Sequence, residues 1–199
     1  MKHRLTLLLA ATAALAMPAT APAASAIHVT DFSLTAASPD AGASVDASST
    51  TGLSYSNMTE DVKKTIGHFA RGMLANPEAV PHCPEAVYLA DACPPDTLIG
   101  SAGGEIDAAP NTRTTVAVSG RIYNEQLLAG EAGRLGIILD TAPTKTFLTA
   151  PFYVRSTGDY GLDGVLDDLP RALTGIGVGN TQITRLSFTL FGEIGRAHV

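Results

Sequence analysis

Tryptophan is absent from this 199-residue chain, and aromatic residues make up only 6% of it. Sugar-binding faces usually rest on flat aromatic rings with a polar handle, so the shortage counts against a carbohydrate platform. Positive charge is also short. Lys and Arg number 13 against 19 Asp and Glu, a formal charge of −6. Between the first 26 and the last seven residues, the basic residues are scattered from Lys63 to Arg185 rather than clustered. Binding a phosphate backbone needs a basic face, so no nucleic-acid partner is expected. Beyond residue 26 no stretch is apolar over the roughly 20 residues that a membrane-spanning helix requires. Hydrolase signatures are missing too. There is no His-Glu-x-x-His pair for zinc and no Gly-x-Ser-x-Gly nucleophile elbow. No Cys-x-x-Cys redox pair exists.

What is present begins with a leader. Met1-Lys2-His3-Arg4 is cationic, Leu5 to Met17 is apolar, and the stretch closes on Ala24-Ser25-Ala26. This order matches the n-region, h-region and small-residue cleavage site of a secretory signal peptide. The reading makes 1–26 a signal peptide and 27–192 one domain of ordinary single-core size. Losing Lys2 and Arg4 with the leader takes the formal charge from −6 to −8. The expected location is secreted, extracellular or cell-wall associated. High alanine and Arg in preference to Lys suggest a GC-rich bacterial genome.

Cys83 and Cys93 are the two cysteines, and both follow the leader. An exported pair this close reads most simply as a disulfide, which stabilises by about 3 kcal/mol in the chain-entropy model. The alternatives are a free buried pair or a metal site. With His82 the cysteines offer only three ligands, at a spacing that fits no zinc knuckle. No metal and no cofactor are expected.

From Ile27 the chain reads as short extended segments split by turn residues. His28 to Leu34 alternates. Val45, Ala47, Ser49, Thr51, Leu53 and Tyr55 share one face of a Ser/Thr-rich strand. Residues 60–74 are ambiguous: Val62, Ile66, Phe69 and Met73 recur at helical spacing, while Thr65, Gly67 and Phe69 share a face at period 2. Pro84 to Ala90 reads as a short helix with Pro84 in its first turn. Thr97 to Asp107 reads as a strand bulged at Gly103-Gly104. Alternation is clearest later, through Thr114, Val116, Val118 and Ile122, through Leu135, Ile137 and Leu139, through Thr146, Leu148, Ala150 and Phe152, and through Thr184, Leu186, Phe188 and Leu190. Leu162 to Leu169 is weaker. The expected fold is all-β, an antiparallel sandwich of jelly-roll or immunoglobulin-like type, with one short disulfide-pinned helix.

Several motifs invite chemistry and have plainer readings. Asp159, Asp163, Asp167 and Asp168, interleaved with Gly158, Gly161 and Gly164, resemble an oxygen-rich calcium turn. Their spacing departs from the Asp-x-Asp-x-Asp-Gly loop, so a charged strand edge that resists aggregation is the better reading. Gly175-Ile176-Gly177-Val178-Gly179-Asn180 lacks the Lys and Ser/Thr of a phosphate loop and reads as a flexible connection. Asn57-Met58-Thr59 is a formal glycosylation acceptor. Nearly all of one coding of Glu193-Ile194-Gly195-Arg196-Ala197-His198-Val199 resembles a widely used sequencing-library adapter. Residues 193–199 are therefore expected to be an assembly artefact, with the natural chain continuing beyond Gly192.

Five groups of residues carry a family resemblance. They are Val62 to Pro77 leading into Val80-Pro81-His82-Cys83 and Cys93-Pro94; Gly120-Arg121-Ile122-Tyr123-Asn124; Arg134-Leu135-Gly136; Val154-Arg155-Ser156-Thr157-Gly158-Asp159-Tyr160-Gly161; and Leu186-Ser187-Phe188-Thr189-Leu190-Phe191-Gly192. In this order they resemble large secreted proteins of actinobacteria with no assigned activity. Phe69-Ala70-Arg71-Gly72-Met73 stands where that family has Leu-Pro-Pro-Gly-Leu, and Phe191 where it has Trp. The resemblance implies the N-terminal β-domain of a longer exported polypeptide with further β-domains, and no catalytic residues.

The expected function is an exported, non-enzymatic surface or extracellular structural/interaction module. Its partner would be a protein or glycan at the cell surface, met by an exposed strand edge or a loop cluster. A cell-wall glycan-binding module would instead expose aromatic side chains together, drawn from Tyr123, Phe152, Tyr153 and Tyr160. A secreted hydrolase would place a Ser-His-Asp set or a carboxylate pair within reach of His28, His68 or His82.

Overall fold

A computed structural model of the chain describes residues 27–38, 45–57, 60–73, 76–109, 114–141, 143–170 and 181–192, with the backbone alone at 108 and 109. The leader, the 175–180 glycine run, Met58-Thr59 of the glycosylation acceptor and the 193–199 tail lie outside these residues. No helix among the described residues is long and apolar enough to cross a membrane.

The architecture is all-β and antiparallel. The strands are β1 (Ile27–Ala36), β2 (Ala47–Tyr55), β3 (Thr65–His68), β4 (Leu98–Ala109), β5 (Thr114–Asn124), β6 (Gly133–Thr141), β7 (Thr144–Val154), β8 (Leu162–Leu166) and β9 (Gln182–Leu190). One five-residue helix, α1 (Glu85–Leu89), precedes β4. Pro84 lies just outside it, as its N-cap residue. Residues 60–74 contribute a strand: Thr65 and Gly67 pair with Leu166 and Gly164 of β8. The period-2 reading prevails because the segment finds a ladder partner, and a lone amphipathic helix of that length is marginal in water.

The expected two-sheet sandwich takes another form. All strands among the described residues join one nine-stranded sheet in the order β1-β2-β9-β4-β5-β6-β7-β8-β3, curled into a half-barrel. Strands twist with a fixed hand, and bulges add bend. The irregularities of β4 fall at Leu98/Gly100, Glu105/Ile106 and Asp107/Ala109, not at Gly103-Gly104. Ala102, Gly104 and Gly120 face inward at mid-sheet, where small side chains relieve crowding inside the bend. The curl brings the β2–β9 wall opposite the β6–β8 wall. Leu53 and Leu186 then share one core with Ile122, Ile137, Leu148, Ala150 and Leu166. Fully burying each of these Leu and Ile side chains is worth about 1.5–3 kcal/mol.

A second core lies on the convex face. Helix α1 covers β5–β7 there, placing Tyr88 against Tyr123, Ile138, Cys83 and Phe147. Tyr88 and Phe147 meet edge to face, with centroids 5.6 Å apart. The Tyr88 hydroxyl reaches the carbonyls of Ile137 (2.9 Å) and Leu148 (2.7 Å). A Cβ at Gly136 would sit 2.7 Å from that ring, so the strand must be bare where the helix lands. Cys83 and Cys93 form the expected disulfide across α1, with Cα atoms 5.5 Å apart.

Candidate functional site

The curl does not close. β1 and β3 are the ends of the described sheet, with β2 and β8 as their strand partners among the described residues. Between them lies a trough of about 660 Å³ whose lining comes from β1, β2 and β9 on one wall and from β6, β7, β8 and the β3 segment on the other. That size lies within the roughly 300–1,000 Å³ of small-molecule sites.

The β1 wall depends on a bulge. Ile27 and Val29 stand opposite Tyr55 and Leu53, whereas Phe32 and Leu34 stand opposite Thr51 and Ser49. The register slips between Val29 and Asp31, and this slip brings Ile27, Val29, Phe32 and Leu34 onto one face although their spacing is not uniformly two. Without it a one-residue change of phase would turn half of them outward. The slip leaves Thr30 and Asp31 crowding one partner, Gly52. A Cβ on Gly52 would meet Asp31 Oδ1 at 2.5 Å and Thr30 Oγ1 at 2.7 Å, so glycine is required opposite the bulge. The face so built stays open: Val29 is 65% exposed and Phe32 61%.

The opposite wall is pinned by Arg155. Its Nε and Nη2 donate to the two oxygens of Asp159 at 2.8 and 2.9 Å. Nη1 donates to Leu162 O and Asp163 Oδ1, and the second Nη2 hydrogen to Phe69 O at 2.8 Å. All five guanidinium donors are thereby used, tying the end of β3 to the β7–β8 turn. Phe69 packs on Phe152, with centroids 5.6 Å apart. The Arg155 hydrogen bonds hold the Asp159 carboxyl down at about 2, and His68 and then Arg155 lower that of Asp163. Lys64 pairs with Asp167 at 2.5 Å. Asp159, Asp163 and Asp167 are therefore each matched by a cation. β8 is an inner strand covered by β3, so the charged-edge reading is corrected.

The polar lining of the trough is sparse. Residues 62–69 border it along their whole length, so alternate side chains face away: Lys64 and His68 pair with Asp167 and Asp163 on the far side, and Lys63 and Thr65 remain with Ser49 and Thr51 as polar lining.

The histidines are dispersed. His28 is exposed on β1, opposite Ser54. His68 Nδ1 lies 2.8 Å from Asp163 Oδ1, and among the described residues no hydroxyl or thiol bonds to its ring. His82 Nε2 is buried without a hydrogen bond, 3.9 Å from Glu78. The proposed aromatic set is not brought together either. Tyr123 is buried under α1 with Arg121 Nη1 donating to its hydroxyl at 3.0 Å, and Phe152 faces the trough. Tyr153 is exposed on the opposite side of β7, and Tyr160 in the following turn.

The motifs of the family resemblance serve the scaffold. Asn124 Nδ2 donates to the carbonyls of Pro77 (2.8 Å) and Val80 (3.0 Å), holding the loop before Cys83. Arg134 pairs with Glu131 at 2.7 Å and approaches Glu125 at 3.4 Å. Burial lifts the Glu125 carboxyl above its ordinary range despite Arg134. The trough itself escaped sequence reasoning. Its one sequence signal is the broken alternation Val29-Thr30-Asp31-Phe32. Comparison with family models, curated proteins and solved structures returns no match.

Proposed function

We propose that this chain is an exported, non-catalytic surface or extracellular module that works by binding. The observation that carries the reading is the apolar trough left open between the two end strands of the described sheet. Open edges and exposed apolar patches mark interaction sites. β1 has ten residues without Lys, Arg or Pro, so it carries little of the charge or proline that blunts a free edge. The Cys83–Cys93 bond fits an oxidising compartment. Arg155, Asn124 and Asp163 are taken up in holding the scaffold, which supports a role other than catalysis. The likeness to secreted actinobacterial proteins supports the same reading, with the chain as one β-domain of a longer polypeptide. The dispersal of Tyr123, Phe152, Tyr153 and Tyr160 weighs against the glycan alternative.

Expression of the full chain in an exporting bacterial host tests this. The expected product lies outside the cytoplasm, starts at Ile27, has no free thiol and turns over no member of a panel of chromogenic esters, glycosides and peptides. Cytoplasmic retention with the leader uncut, or turnover abolished by His68→Ala, would sink the proposal.

A further inference from the structure

The trough has a chemistry as well as a shape, and we infer that it holds the tail of one free, single-chain anionic amphiphile, with the carboxylate or equivalent head at Lys63 on the rim. This inference rests on the binding-module reading and names the ligand class.

Three observations carry it. First, the trough is an apolar channel built from both walls of the sheet, with Leu53, Leu135, Ile137, Ala150, Phe152 and Phe188 along it. Apolar cavities disfavour water and take apolar guests. Secondly, the mouth carries one cation. Lys64 and His68 pair with Asp167 and Asp163 on the side of β3 and β8 away from Phe152, which leaves Lys63 as the charged residue of the lining. A neutral guest would have no use for that charge, and a cationic head would be repelled by it. Thirdly, the rim is held in place. Leu169 N donates to Lys63 O at 3.0 Å, and Asp167 anchors Lys64. Asp167 takes up the Lys64 ammonium and also feels the charge of Lys63, whose ammonium forms no ion pair of its own among the described residues. A tail along the trough also covers Val29 and Phe32, the apolar side chains the fold leaves most open on that wall. A protein partner on the same surface would have to fill a channel walled on both sides. A single tail needs only the lining that exists.

The test is titration of the full exported chain with cis-parinaric acid, a fluorescent fatty acid, and with its methyl ester, alongside light scattering. The expected result is one saturable site for the acid on a monomer. Lys63→Glu should weaken the acid about tenfold and the ester less than about twofold. Thr51→Phe, which fills mid-trough, should abolish both. Ser49→Leu is the second filling variant if the first melts early. No uptake of either probe by folded monomer overturns the inference, and so does acid binding indifferent to Lys63→Glu and to both fillings. A concentration-dependent dimer that excludes the acid overturns it in favour of a second copy. Sedimentation with phosphatidylglycerol vesicles in place of acid uptake overturns it in favour of a membrane surface. Each of these leaves the binding-module reading standing, whereas hydrolysis of the methyl ester removes the module reading itself.

Discussion

One sheet presents two faces here, and they bury apolar side chains by different means. On the convex face a five-residue helix is enough, because it is held at many points. The disulfide closes it, the Tyr88 hydroxyl anchors to two strand carbonyls, and Asp91 at its C-terminal end accepts from Arg121 (3.0 Å) and Lys145. On the concave face the sheet covers itself by curling, and it stops short of closure. Mid-sheet residues such as Ile122 and Ile137 are 0% and 2% exposed, while Phe32 at the margin is 61% exposed. The contrast separates stability from availability: the covered face is where the fold is secured, and the open margin is where apolar surface remains to be used.

The largest effect expected from breaking this contrast is at Tyr88. Tyr88→Ala should cost about 3–5 kcal/mol in urea unfolding, whereas Phe32→Ser should stay within about 0.5 kcal/mol. Similar losses at both sites would mean that the trough margin is core. Next comes the disulfide. Replacing Cys83 and Cys93 together by Ala should cost about 3 kcal/mol and leave parinarate binding unchanged. Loss of binding in a chain that remains folded would show that the two faces are coupled.

A smaller effect is expected at the bulge. Gly52→Val should cost about 1–3 kcal/mol through contact with Thr30 and Asp31, and should speed hydrogen exchange in β1 while sparing β5–β7. Uniform acceleration would refute a local role for the bulge. The smallest effect is in acid, and its sign differs between the faces. Asp159 sits at about 2, below its ordinary 3.8. Its contribution is therefore present above pH 4 and lost as pH falls through about 2. Glu125 is shifted the other way by burial, so its contribution is present below its ordinary value and lost as pH rises through the folded one. Stability of Asp159→Asn relative to the parent should converge between pH 4 and 2. A difference unchanged across that window would remove Arg155–Asp159 as a staple of the β7–β8 turn.

Much of the fold was legible residue by residue. Alternation marked β5, β6, β7 and β9, and the inward set Ser49, Thr51, Leu53 was visible within β2. The Pro84 signal located α1, and the cysteine spacing its clamp. Residues 60–74 were legible only at period 2, because Val62 and Ile66 repeat at helical spacing while the actual constraint is a ladder to β8. The candidate site was nearly illegible. Its walls combine β1 and β2 with β8 and the residue 62–69 segment, which lie far apart in the chain. Lys63 looked like part of a scattered charge pattern until the fold placed it on the lining that also includes Phe152 and Leu135.

By itself the chain's order of residues determined local states: which segments extend, which face of each is apolar, where turns fall and which thiols join. These follow from steric and solvation preferences felt within a few residues. Only the tertiary structure decided that β9 enters between β2 and β4, that β1 and β3 become the ends of the described sheet, and that one sheet curls where two layers were expected. Alternation says that a strand has an inner face and nothing about which strand lies beside it. Loop-closure entropy rises so slowly with length that it does little to choose among distant partners. The whole packed core makes that choice, and the open trough is its by-product.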